Sequence, residues 1–293
     1  MRALVLSGGG ALAVAWECGL IAGLDEAGAG IAEADFILGT SAGAIVGAQL
    51  AQGRDPAAMT AAILHEAKGV APPGARPFDP AAVAKLPELF AKAQSRPDDP
   101  AAARAEVGAY ALAQSTESEE SAAARFAALV GTRAWPDRGF GCVAVDALDG
   151  SVRLLTRDCG TSLDRAVAAS CSLPGISPPI GIEGRPYIDG GFASAANVDL
   201  VEDYDELLVT VFAPAGPRRE RISARLEPQL ARLRAAGKRV HLLWPDAACA
   251  AAIGEQTMDV RRRPDVAGAA LEQGKGEAAA VRAFLDGMPV IAD

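Results

Sequence analysis

Histidine is the scarcest chemistry-bearing residue here: 293 residues contain two, His65 and His241. A Ser-His-Asp triad would need one of them. His65 falls in a helical stretch, and His241 sits inside the strand-like run Val240-His241-Leu242-Leu243-Trp244 instead of on a loop beyond it. Cysteine offers little more. Cys18, Cys142, Cys159, Cys171 and Cys249 are odd in number, widely spread and mostly set in apolar sequence, which argues for reduced buried thiols over a disulfide framework. No pair has metal-ligand spacing. Positive charge is also short: the formal net charge is -9, which argues against sequence-independent nucleic-acid binding and gives no pull toward an anionic membrane. No uninterrupted apolar run reaches the roughly 20 residues of a transmembrane helix, and Met1 to Leu6 is too short for a signal-peptide core. These absences predict a cytoplasmic chain with no transmembrane segment, no nucleic-acid partner, no metal and no cofactor. A transient apolar contact with a membrane surface stays open.

What is present is core-forming material, with 50% hydrophobic residues, enough for one large domain over 1–293. Ala3 to Ser7 reads as a strand, Gly8-Gly9-Gly10 as a turn and Ala11 to Ala27 as a helix; Phe36 to Gly39 is a second strand, followed by a helix over Ala42 to Gln52. Strand-helix repetition this close implies a mainly parallel sheet covered on both faces. Residues 54–138 change character, with proline-rich breaks at Val70 to Pro80 and Arg96 to Pro100 among alanine-rich helices, and Thr116 with Glu119 fits a capping box. This region reads as a helical insertion or cap. Gly141 to Val145 and Val152 to Thr156 form a hairpin pattern, Ser162 to Ser172 a helix, and Tyr187-Ile188-Asp189-Gly190-Gly191 a strand ending in an acid and two glycines. Leu207 to Phe212 and Val240 to Trp244 are further strands flanking a helix over Ile222 to Ala236, and Arg261-Arg262-Arg263 reads as a solvated face.

Two glycine turns carry chemistry. Gly39-Thr40-Ser41-Ala42-Gly43 has the G-x-S-x-G form of a nucleophile elbow, where a serine is held in a cramped turn and its neighbours must be small. The helix behind it aims free N–H groups at the serine. Gly8, Gly9 and Gly10, on the neighbouring strand, would supply oxyanion donors. Gly8, Gly10 and Ala13 also fit a dinucleotide fingerprint, but the second strand ends in Gly39-Thr40-Ser41 and not in the acid that a ribose hydroxyl needs. With the histidines poorly placed, Asp189 is the candidate base. Its alternative role is to cap the Asp-Gly turn. Two alternatives to a Ser-Asp pair remain at this point: a triad that uses His241, and a non-catalytic lipid- or nucleotide-binding α/β protein.

Gly8-Gly9-Gly10-Ala11, Gly39 to Gly43, Ala169-Ser170-Cys171-Ser172-Leu173-Pro174-Gly175-Ile176-Ser177-Pro178-Pro179 and Asp189-Gly190-Gly191 occur in that order. Together they resemble the patatin-like phospholipase family over roughly residues 1 to 212. The resemblance implies a three-layer α/β/α sandwich and a metal-independent serine acyl hydrolase of the phospholipase A or lipid esterase type. It implies Ser41 as nucleophile, Asp189 as base and the Gly8 to Gly10 loop as oxyanion hole, acting through an acyl-serine intermediate on a lipid or other acyl ester. One departure stands out: family members usually carry Lys or Arg and then glycine where this chain has Leu12 and Ala13. That exchange brings neutral esters, lysolipids and thioesters forward as substrates beside phospholipids.

Overall fold

The computed structural model describes residues 1–71, 79–114 and 116–288. Strand β1 (Arg2–Leu6) leads into helix α1 (Ala11–Glu26), and β2 (Phe36–Thr40) into α2 (Ala42–Ala51). β1 and β2 pair in parallel, Ala3 opposite Phe36. Successive residues of β1 serve opposite faces, as a period of two requires. Leu4 and Leu6 join the core beneath α1 and α2, while Ala3 and Val5 join a second core with Leu226, Leu230 and Leu233. Those leucines belong to α8 (Pro217–Ala235), which begins five residues before the pattern predicts. The chain is therefore an α/β/α sandwich, as expected.

Helices α3 (Pro56–Leu64), α4 (Pro80–Ala93), α5 (Pro100–Leu112) and α6 (Glu119–Val130) occupy the region between β2 and the rest of the sheet. Three begin on an Asp-Pro pair, with Asp55, Asp79 and Asp99 each accepting a hydrogen bond from a free N–H of the first turn. Such a cap satisfies one orphan donor while the proline removes another. The capping box at Thr116 and Glu119 does not form. Ser118 is the cap and accepts from Ser121 N–H, so Glu119 is free to accept the Gly181 N–H at 2.8 Å. Of the proline-rich Val70 to Pro80 stretch, residues 72–78 lie outside the described residues. α3 lies against α1 and α10 (Arg263–Leu285), which follows the short α9 (Ala247–Ile253), and α6 against α7 (Leu163–Ser170). α10 crosses α1 at backbone distance: a Cβ on Gly23 would lie 2.1 Å from the Leu271 carbonyl oxygen. Arg263 is not solvated, contrary to the pattern; it pairs with Glu66 at 3.0 Å and is half-buried. No helix among the described residues is long and apolar enough to cross a membrane.

The remaining strands are β3 (Gly139–Asp146), β4 (Val152–Leu155), β5 (Ile180–Ile182), β6 (Arg185–Asp189), β7 (Glu206–Thr210) and β8 (Arg239–Leu243). The sheet runs β5-β6-β3-β2-β1-β7-β8, with β4 also on β3. β3, β2, β1, β7 and β8 are mutually parallel; β4 and β6 join β3 in antiparallel pairs, and β5 joins β6 in another. Register fixes the geometry of the site. β2 pairs with β3 up to Thr40 opposite Val143. β4 pairs with Cys142 to Val145, so β4 and β2 share partners and must lie on opposite edges of β3. β6 pairs with Ala144 to Asp146, Asp189 opposite Ala144, and it shares Ala144 and Val145 with β4. β6 therefore continues the β2 edge in the opposite direction. The two strands meet end to end, one ending at Thr40 and the other at Asp189.

Candidate active site

Ser41 follows Thr40 directly, in the gap between the ends of β2 and β6. Its backbone stands at φ 53, ψ -114, a left-handed conformation that costs a non-glycine residue on the order of 1–3 kcal/mol. The surroundings enforce it. A Cβ on Gly43 would fall 2.2 Å from the Leu6 carbonyl oxygen, and one on Gly39 2.5 Å from Ala44 Cα. Gly43 N–H donates to the Ser7 carbonyl at 3.1 Å, which ties the elbow to the end of β1.

The Ser41 hydroxyl donates to Asp189 Oδ2 at 2.6 Å. Asp189 Oδ1 accepts the Gly191 N–H at 2.7 Å, so one carboxyl oxygen caps the turn and the other faces the hydroxyl. Burial pushes the Asp189 carboxyl up to about 7, against the lowering effect of the Ser41 hydroxyl and the Gly191 N–H. A carboxylate with that proton affinity is a competent base near neutrality. Ser41 is 8% exposed and Asp189 1%, so only the hydroxyl end of the pair can meet solvent or substrate.

Three consecutive residues at the end of α7 hold both halves of the pair, and the sequence reading assigned none of them a role. Ser170 Oγ accepts the Ser41 N–H at 3.0 Å, Cys171 Sγ donates to the Ser41 carbonyl at 3.1 Å, and the Ser172 carbonyl accepts the Asp189 N–H at 2.9 Å. Asn197 adds a fourth tie, its side-chain amide donating to Thr40 Oγ1 at 3.0 Å. The only sequence signal was the alanine-serine and proline-rich segment itself, which forces α7 to stop at this point.

The glycine loop lies beside the elbow, with a Cβ on Gly8 3.4 Å from Ser41 Cβ. Its N–H groups are not equivalent. Gly8 N–H is committed to the Ala195 carbonyl at 2.9 Å, whereas Gly9 and Gly10 N–H have no acceptor among the described residues. Leu12 N–H, which a pyrophosphate on the α1 N-terminus would use, donates to the Thr257 carbonyl at 3.3 Å. On the far side of Asp189, Phe90 of α4 lies 3.8 Å from the Cβ position of Gly191 and stacks on Phe192 at 4.4 Å.

The histidines are elsewhere. His65 caps α3 at an exposed position, its Nδ1 2.6 Å from the Ala61 carbonyl. His241 lies within β8, packed on the Phe284 ring, with burial pulling its pKa down. Three strand spacings separate β8 from β2, about 14 Å, so the triad alternative finds no histidine at Ser41.

Among solved structures the chain resembles VipD from Legionella pneumophila, at 14% identity and TM-score 0.48, covering 95% of this chain and 67% of that one. It also resembles ExoU in the ExoU-SpcU complex from the type III secretion system of Pseudomonas aeruginosa, at 16% identity and TM-score 0.39. That match covers 96% of this chain and 52% of the other, so the chain spans about half the length of ExoU. Likenesses this distant carry no functional inference. A search of the curated proteins finds no match. The family model described as patatin-like phospholipase matches residues 4–201, well over half of the chain and all of the elements that meet at Ser41. The chain belongs to the patatin-like phospholipase family.

Proposed function

We propose that the protein is a serine hydrolase of lipid acyl esters that works through a Ser41-Asp189 dyad. The observation that carries this reading is the 2.6 Å hydrogen bond from a strained, barely exposed serine to a buried carboxylate. In the first half-reaction Ser41 Oγ attacks the ester carbonyl as its proton passes to Asp189 Oδ2. The Oγ–C bond forms and the carbonyl electrons move onto the oxygen. Gly9 and Gly10 N–H groups, uncommitted in the loop, receive that oxyanion, and each such donor contributes on the order of 3 kcal/mol. Gly8, whose N–H is occupied, shapes the loop. Collapse breaks the ester C–O bond, and Asp189 returns its proton to the leaving alcohol. Water then attacks the acyl-serine, giving a proton to Asp189; collapse breaks the Oγ–C bond, Asp189 returns that proton to Ser41 Oγ, and the fatty acid leaves.

The α4–α5 hairpin fits the role of a cap over the acyl chain, since the partly exposed Phe90 of α4 stacks on the buried Phe192 just beyond the base. The five buried, unpaired cysteines support a cytoplasmic setting. A fluorophosphonate probe tests the chemistry: wild type labels and Ser41→Ala does not. Equal labelling of the two would remove Ser41 from its role.

A further inference from the structure

The glycine loop has two flanks. Ser41 stands on one; on the other, β7 exits through Phe212, whose N–H donates to Ser7 Oγ at 2.8 Å and whose ring fills the space over Gly9. Six residues later the chain reaches Arg218, in the first turn of α8. Arg218 Nη1 lies 3.4 Å from Thr257 Oγ1, and the carbonyl of the same Thr257 accepts the Leu12 N–H. Met258 follows, its sulfur 2.3 Å from the Cβ position of Gly10. The guanidinium thus stands at the rim of the loop proposed to bind the oxyanion.

That charge is poorly compensated. Arg218 is half-buried, forms no ion pair among the described residues, and has a neutral hydroxyl as its hydrogen-bond partner. Desolvation, and then the like charge of Arg221 one turn on, pull its pKa below the usual arginine range. The other arginines nearby are engaged: Arg219 covers the Trp244 ring at 4.7 Å, Arg261 pairs with Asp259 at 2.7 Å and Arg263 with Glu66. Two like charges held together with one of them desolvated is an unfavourable arrangement until an anion arrives. A guanidinium fork suits two oxygens of a phosphate. The backbone agrees: Gly216 gives α8 no side-chain cap, and the N–H groups of Arg218 and Arg219 have no acceptor among the described residues. Both arginines lie beyond residue 201, outside the family match.

We propose that Arg218 and Arg221 form a phosphate-binding site at the rim of the glycine loop, which takes the headgroup phosphate of a lipid whose ester lies at Ser41. This rests on the hydrolase reading and assigns it residues for headgroup recognition.

The test measures hydrolysis of dioctanoyl phosphatidylglycerol and of dioctanoylglycerol, which share acyl chains and differ in the phosphate. Arg218→Gln should lower kcat/KM on the phospholipid by about tenfold or more, mainly through KM, and leave the neutral ester within about twofold. Arg221→Gln, at an exposed position, should act in the same direction more weakly, and Arg218→Lys should recover part of the loss. Equal falls on both substrates, or no change on either, would overturn the site. Inorganic phosphate separates the ligand sources. Competition against phospholipid hydrolysis alone supports the headgroup, whereas an effect on dioctanoylglycerol hydrolysis that Arg218→Gln abolishes assigns the site to free phosphate and overturns the headgroup role. If wild type hydrolyses neither lipid, the hydrolase reading has failed. Calorimetric titration with inorganic phosphate then decides the site alone: binding lost in Arg218→Gln supports it, and no binding to wild type overturns it.

Discussion

Two buried carboxyls in this protein each face a hydroxyl, and only one pair has the makings of a catalyst. Glu17 of α1 is wholly buried and lies 2.8 Å from Thr210 Oγ1; Asp189 is as deeply buried and lies 2.6 Å from Ser41 Oγ. Burial raises both, Glu17 to about 8 and Asp189 to about 7. The difference lies in the hydroxyls. Thr210 ends a regular strand, is 0% exposed, accepts the Ser7 N–H at 3.3 Å and lies 3.3 Å from the Val5 carbonyl. Thr210 donates to Glu17 Oε1 and accepts the Ser7 N–H, both deep in the core where no substrate reaches. Ser41 sits in a strained turn, 8% exposed, with Asp189 as its side chain's partner. A raised carboxyl beside a hydroxyl therefore does not mark a nucleophile. Strain and access do.

The contrast can be broken most strongly through pH. Activity that needs ionised Asp189 falls as pH drops below about 7, by about tenfold in kcat/KM per unit, reaching about a hundredfold at pH 5. A profile flat from pH 5 to 8 would contradict the assignment of the base. Next in size is the clamp. Ser170→Ala leaves the buried Ser41 N–H without its acceptor, which costs about 1–3 kcal/mol of stability and should lower kcat about tenfold with little change in KM. Steady-state kinetics beside thermal unfolding measures both. The smallest effect on activity sharpens the comparison from the other side: Glu17→Gln should keep kcat/KM within about twofold. It should instead alter stability against pH. A carboxyl raised in the fold keeps its proton while the unfolded chain has lost it, so stability declines as pH rises from about 4.5 to about 8. The Tm advantage of Glu17→Gln over wild type should therefore widen across that window.

Much of the site was legible because its constraints are local. A serine in a left-handed turn needs small neighbours on either side, and Gly39 and Gly43 announce that within five residues. Asp189 was visible as a strand end followed by two glycines. Neither signal revealed why the two meet. That depends on β6 pairing with the same edge of β3 that β2 leaves at Val143, a register no local pattern encodes. The ties from Ser170, Cys171 and Ser172 were hidden for the same reason, since small residues at a buried helix end look alike whatever they bond. Other features are written plainly in the sequence. The Asp-Pro pairs at Asp55, Asp79 and Asp99 state three helix starts in the region described only as helical. The inequality within the glycine loop was beyond the sequence, because Ala195, which occupies the Gly8 N–H, lies 187 positions away.

The most direct test of the central claim compares turnover of an acyl ester by Asp189→Asn and His241→Ala. Asparagine keeps the shape of the carboxyl and cannot take the Ser41 proton, so Asp189→Asn should lose about a thousandfold or more in kcat, while His241→Ala, three strands away, should stay within a few-fold of wild type. Turnover abolished in His241→Ala and retained in Asp189→Asn would contradict the dyad.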